Sequence, residues 1–123
     1  MRGAIMLNDM MKETVEESLE YIPRLIGGID DVTMLIDEGR YAEANTLLIN
    51  VIDGLNWSIK AITLTMSFHG YDLDVEKVNE SLNALMNGIE NSDYQLISDS
   101  LNYEIKDILS GYMNHCKKGE LNL

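Results

Sequence analysis

The chain has 123 residues, 46% of them hydrophobic, which suits one folded domain and excludes intrinsic disorder. One cysteine excludes an intrachain disulfide framework, and one proline argues against a turn-rich all-β fold. A formal net charge of −12 repels phosphate backbones and anionic lipid, so neither nucleic acid nor a membrane is an expected partner.

Residues 1–7 begin like a signal peptide, but the apolar run stops at Asn8-Asp9, too short for a signal core. No run of apolar residues approaches the ~20 of a membrane span. The expectation is a single cytoplasmic domain over residues 1–123.

Apolar residues recur at helical spacing along almost the whole chain. Val15, Leu19, Ile22, Ile26, Ile29 and Ile36 form the first stripe and predict a helix over 8–38. Pro23 either kinks that helix or opens a new one near residues 21–24, with Gly27-Gly28 weakening it further. After Glu38-Gly39-Arg40, a stripe from Tyr41 through Ala44, Leu48, Ile52, Leu55, Ile59, Ile62 and Met66 predicts a helix over 41–68. His69-Gly70-Tyr71-Asp72 breaks it, and Asp74 can cap a third helix over 74–91 carrying Val75, Val78, Leu82, Leu85 and Ile89. Ser92 or Asp93 can cap a fourth over 93–118, with Tyr94, Ile97, Leu101, Ile105, Ile108, Tyr112 and Cys116 inward and Lys117, Lys118 and Gly119 at its stop.

The halves repeat at an offset of 53. Ile-Asp-Glu-Gly-Arg-Tyr at 36–41 aligns with Ile-Glu-Asn-Ser-Asp-Tyr at 89–94. The same offset pairs Ile22 with Val75, Leu25 with Val78, Leu48 with Leu101 and Ile52 with Ile105. One helical hairpin cannot bury its stripe alone, whereas two can bury theirs against each other. The expected fold is therefore all-α: an antiparallel up-and-down four-helix bundle of two similar hairpins, about 22–68 and 74–118. Tyr41 and Tyr94 should occupy equivalent places just after each turn, their rings packed on the preceding helix.

Chemistry-bearing patterns are sparse. The residues three before His69 and His115 are Met66 and Tyr112, so the Glu-x-x-His of a di-iron bundle is missing. Adjacent His115 and Cys116 diverge by about 100° on a helix, unsuited to a shared metal or a nucleophile pair. Cys116 falls on the apolar stripe and reads as a buried thiol, and His69 as a solvated loop or capping histidine. Glu13, Glu16, Glu17 and Glu20 form an acidic outer face that wants solvent or a basic partner. No phosphate loop, calcium loop or nucleophile elbow is present. No enzyme activity, cofactor or metal is expected.

The segments Glu-Gly-Arg-Tyr-Ala-Glu-Ala-Asn and Asn-Ser-Asp-Tyr-Gln-Leu-Ile-Ser-Asp-Ser-Leu-Asn-Tyr-Glu-Ile resemble small uncharacterised helical proteins of Firmicutes over residues 36–112. That resemblance implies a four-helix bundle and carries no catalytic residues. The Tyr-x-x-Ala-Asn run is also similar to flagellar export chaperones, which are acidic helical bundles that hold an unfolded flagellin tail.

The repeat breaks on the back of the second helix. Trp57, Ala61, Leu64 and Phe68 form a second apolar stripe, while their equivalents are Ser110, Asn114, Lys117 and Leu121. An apolar stripe of this size needs cover. Either the same chain provides it, through Ile5, Leu7, Met10 and Met11 or through wider burial within the bundle, or helix 2 pairs with its twin across a two-fold axis or with a partner helix, Trp57 acting as anchor. Trp57, Ala61, Leu64, Phe68, Met10 and Met11 are thus the candidate partner-binding residues of a non-enzymatic adaptor or chaperone-like module. The alternative is an apolar small-molecule-binding bundle, with Gly27, Gly28, Gly54 and Gly88 leaving room between helices.

Overall fold

A computed structural model describes residues 2–117, with side chains from Met6 onward. The protein is all-α: among the described residues there is no strand. Helix α1 spans Arg2–Asp37, α2 Tyr41–Leu64, the one-turn α3 Met66–His69 and α4 Val75–Glu90. A C-terminal rod then runs from α5 (Tyr94–Asp99) through a π-helical turn (Ser100–Ile105) into α6 (Lys106–Lys117). The predicted stop at Lys118 and Gly119 lies outside the described residues, as does Leu121.

Helix α1 starts six residues earlier than the apolar stripe indicates and runs through Pro23 without a break. Pro23 is exposed, so its ring meets solvent rather than the core. The interior proline costs about 3 kcal/mol of helix propensity. Ile22, Leu25 and Ile29, all buried around it, offset that by holding both halves of α1 on one core.

The two predicted turns share one hydrogen-bond pattern at the offset of 53. Gly39 N–H donates to Ile36 O at 3.0 Å and Arg40 N–H to Leu35 O at 2.9 Å. Ser92 N–H donates to Ile89 O at 3.3 Å and Asp93 N–H to Gly88 O at 2.8 Å. Both are Schellman caps closed by a left-handed residue, Gly39 at φ 73° and Ser92 at φ 50°. Asp74 and Asp93 then cap α4 and α5, accepting from Lys77 N–H and Leu96 N–H, each at 3.1 Å.

Tyr41 and Tyr94 open their helices at equivalent positions. They stack on each other, with centroids 4.0 Å apart and planes 12° off parallel. Equivalent residues meeting face to face is what an internal two-fold relation produces at its axis. Asn45 Nδ2 donates to Tyr94 Oη at 3.0 Å and ties the pair to α2.

The core joins Ile22, Leu25, Ile29 and Val32 of α1 to Leu48, Val51, Leu55 and Ile62 of α2, and to Leu85, Ile97, Leu101, Ile105 and Leu109. Val75, paired in sequence with fully buried Ile22, is 57% exposed because it is the first residue of α4, at the end of the core. In the rod the buried residues step by four from Ile97 through Leu101 and Ile105 to Leu109. A regular helix would let that stripe drift around its axis, and the wider π turn at Ser100–Ile105 takes up the drift. Leu109 thereby replaces Ile108 on the inner side; Ile108 is half-buried.

Candidate functional site

Three contacts set the register of α1 against α2 and the α3 turn that follows it. Ser67 Oγ meets Met11 Sδ at 3.4 Å, Trp57 meets Tyr21, and Val51 lies where a Cβ on Gly28 would reach van der Waals contact at 3.4 Å. Along this seam the predicted partner-binding residues separate. Trp57 is 40% exposed, Leu64 67% and Met10 62%, so these three present apolar surface to solvent. Leu64 lies seven residues, about two turns, beyond Trp57 on the same side of α2. The register sets Met10 level with Phe68, which is half-buried, as is Met11.

Ala61 is corrected. It is buried: four residues beyond Trp57 it is turned about 40° around α2 from the exposed indole. Of the two expected intramolecular covers for Trp57, burial within the bundle is the one seen. Leu7 and Met10 are themselves exposed, Met11 reaches Ser67, and the Ile5 side chain lies outside the described residues. Tyr21 covers Trp57 instead, in an edge-to-face pair with centroids 5.4 Å apart and planes at 81°.

That pair walls a solvent-open groove of about 450 Å³, completed by Glu17 from α1 and Asn50, Asp53 and Gly54 from α2. A Cβ on Gly54 would fall on Tyr21 Oη, so the space opposite this glycine is filled by Tyr21. Opposite Gly88 the neighbour is Ile97 Cγ1, 2.9 Å from a Cβ there, and opposite Gly28 it is Val51. These glycines admit neighbouring side chains rather than leaving voids. Among the described residues neither Glu17 nor Asp53 forms a salt bridge, whereas Lys12 meets Glu16 at 4.0 Å and Arg24 meets Glu20 at 3.7 Å. The groove is thus aromatic-walled with two uncompensated carboxylates at its rim.

Tyr21 and Glu17 are the residues that sequence reasoning missed as parts of a site. Tyr21 lies off the first apolar stripe, and Glu17 reads as one of four solvated carboxylates. The available signal was Gly54 three residues before Trp57: a glycine one turn from a tryptophan makes room for a large ring from the opposite helix.

A second apolar groove, about 270 Å³, lies where α2 passes α4 and the rod, among Leu48, Ile49, Ile52, Ile89 and Ile97. Helix α2 is long and apolar enough to cross a membrane by length and composition alone, its best window having mean hydropathy 1.2. In this fold it packs along α1 and carries Asn50, Asp53, Asn56 and Lys60 outward.

The titratable groups gather at the other end of the core. Of the two readings of His69, solvated or capping, the solvated one is corrected, because the ring is buried and bonds a carbonyl of the last turn of α2: Nε2–H donates to Ile62 O at 2.8 Å and Nδ1 accepts from Tyr71 N–H at 2.9 Å. Desolvation lowers its pKa, outweighing the bond to Ile62, and neighbouring His115 lowers it further. His115 Nε2 lies 2.7 Å from His69 O. Fully buried Tyr112 donates to Ser18 Oγ at 2.7 Å, and Ser18 donates to Val15 O at 2.7 Å. Burial pushes the Cys116 thiol up against the smaller effect of its bond to Tyr112. A thiol held protonated is a poor nucleophile. Among the described residues no three His, Cys, Asp or Glu side chains converge as a metal-binding group.

The chain matches the family described as "Domain of unknown function (DUF8042)" over residues 13–115 and belongs to that family. No curated protein and no solved structure matches it.

Proposed function

We propose that this member of the DUF8042 family is a non-enzymatic protein-interaction module that docks a basic amphipathic helix along the α1/α2 seam. The observation that carries this is Trp57, 40% exposed on an aromatic-walled groove beside unpaired Glu17 and Asp53, with Leu64 and Met10 bare along the same seam. An apolar strip with methionine at one end and carboxylates along its edge complements a helix with an apolar face and flanking Lys or Arg. A second copy of the chain fits less well: at a net charge of −12, a two-fold pairing brings two acidic surfaces together.

The architecture presenting this seam reads as an antiparallel up-and-down four-helix bundle of two hairpins. Its support is the order of contacts: residues 11, 21 and 28 meet 67, 57 and 51, so α2 descends as α1 rises. Likewise Ser18 and Asp30 of α1 meet Tyr112 and Lys106 of the rod. The net charge of −12 disfavours nucleic acid and anionic membrane surfaces as partners of this seam. The apolar groove beside α4 supports a second reading, an apolar small molecule held there.

The test uses Trp57, the single tryptophan, as reporter. Two designed helical peptides share one apolar face, one flanked by lysine and arginine, the other by glutamate. Saturable change in emission is expected with the basic peptide alone, and light scattering should show a monomer without it. A concentration-dependent dimer abolished by Leu64→Glu would replace the basic-helix reading with self-pairing.

A further inference from the structure

The geometry points to an arginine side chain as the anchor that the Tyr21–Trp57 groove takes from its partner, an inference that rests on reading the α1/α2 seam as a docking site. The groove offers a guanidinium two kinds of contact at once. The rings of Tyr21 and Trp57 stand at 81°, and Trp57, 40% exposed, lines the groove with part of its indole in solvent. Glu17 from α1 and Asp53 from α2 stand at the rim, with Asn50 beside them. A planar cation can lie on the indole while its edge N–H groups donate to carboxylate and amide oxygens. A lysine ammonium is a compact, strongly hydrated point charge and cannot stack and form that fork together.

Among the described residues no arginine of this chain pairs with the groove carboxylates. Within this chain Arg40 is engaged by Glu38 and Glu43, and Arg24 by Glu20. No described cation pairs with Glu17 or Asp53. The two carboxylates stay unneutralised beside a half-exposed tryptophan, an arrangement that an incoming guanidinium completes.

Three versions of one basic amphipathic peptide test this, identical except at the flanking cations: arginine, lysine, or citrulline, which keeps the planar shape without the charge. Binding is read by Trp57 emission and by calorimetry on the full chain. The arginine peptide should bind about tenfold more tightly than the lysine peptide, and the citrulline peptide weakest of all. Glu17→Gln and Asp53→Asn should each weaken the arginine peptide roughly five- to tenfold and leave the citrulline peptide unchanged. Glu80→Gln on α4, remote from the groove, should change neither. Circular dichroism of these surface variants should match the parent. Equal affinity for arginine and lysine peptides overturns the guanidinium anchor while leaving the docking seam standing. Equal affinity for citrulline, or indifference to both groove substitutions, shows that no cation is read there. Failure of all three peptides to bind overturns the seam itself.

Discussion

Tyr21 Oη occupies the space that a Cβ on Gly54 would fill, so the ring pair of Tyr21 and Trp57 exists only because residue 54 has no side chain. Glycine within a helix costs about 1 kcal/mol relative to alanine. Here the cost is repaid in geometry: Tyr21 seats edge-on against Trp57 and the groove has its second wall.

Gly54→Ala should therefore separate stability from site structure. Alanine gains about 1 kcal/mol of helix propensity and loses a ring contact worth about 0.5–1.5 kcal/mol, so the denaturation midpoint should shift little. Trp57 emission should move to the red as Tyr21 swings out, and the basic peptide should bind more weakly. Adding Tyr21→Phe removes the overlapping hydroxyl and should restore the emission. An unchanged spectrum in the single variant would show that Tyr21 does not cover Trp57 in solution.

Tyr112 makes the opposite kind of contact, a buried hydrogen bond that ties the rod to α1. Tyr112→Phe keeps the ring but takes the donor from Ser18 Oγ, at an expected cost of about 1–2 kcal/mol. Tyr112→Ala also leaves a cavity and should cost about 3–5 kcal/mol. Combining Tyr112→Phe with Ser18→Ala removes both partners and should cost less than the two single changes together. Additive losses in chemical denaturation would show the bond contributes nothing of its own.

Ser58 Oγ is fully buried on α2 without a hydrogen-bond partner. A buried hydroxyl without compensation is destabilising, and alanine is also the better helix former. Ser58→Ala should raise stability by about 1–2 kcal/mol in urea denaturation. A loss on substitution would mean the hydroxyl is bonded in solution.

Local rules carried far in this chain. The turns at Gly39 and Ser92, the caps at Asp74 and Asp93 and most of the inward residues follow from spacing and from residues with one strong preference, while Val75, Met66 and Ile108 of the predicted stripes do not lie in the core. What escaped depends on partners distant in sequence. Pro23 breaks nothing because both sides of α1 are held by the same core. His69 is buried because Tyr71 N–H and Ile62 O both reach its ring. The stripe on the back of α2 was legible at Trp57, Leu64 and Phe68, but its division into buried Ala61 and exposed Leu64 depends on where α1 lies. Tyr21 completes the groove through a glycine 33 residues away, a relation that no periodicity encodes.

The stacked pair Tyr41–Tyr94 tests the internal repeat. Tyr41 is 45% exposed, so its loss should cost less than a buried ring would, about 1 kcal/mol. Tyr94→Ala also releases Asn45 and should cost somewhat more. Because the rings touch, the double variant should cost less than the two losses added. Strict additivity in a denaturation cycle would show that the rings do not stack in solution.

His69 gives the molecule a pH dependence whose sign follows from its burial. Desolvation lowers its pKa below the ordinary value of 6.5, so the unfolded chain binds the proton more readily than the folded one. The stability this group contributes is therefore fully present above pH 6.5 and is lost as pH falls from there through the depressed folded value. Protonation also forces Nδ1 to give up Tyr71 N–H, which loosens the connection between α3 and α4. The melting temperature should fall between about pH 6.5 and 5, a window above most carboxylate titrations. His69→Asn should lower stability by about 2–4 kcal/mol at neutral pH, because it empties buried volume and leaves Ile62 O or Tyr71 N–H unpaired. In that variant the slope of stability against pH between 6.5 and 5 should flatten. If the slope is the same with and without His69, the acid sensitivity belongs to other groups and His69 is a structural ring only.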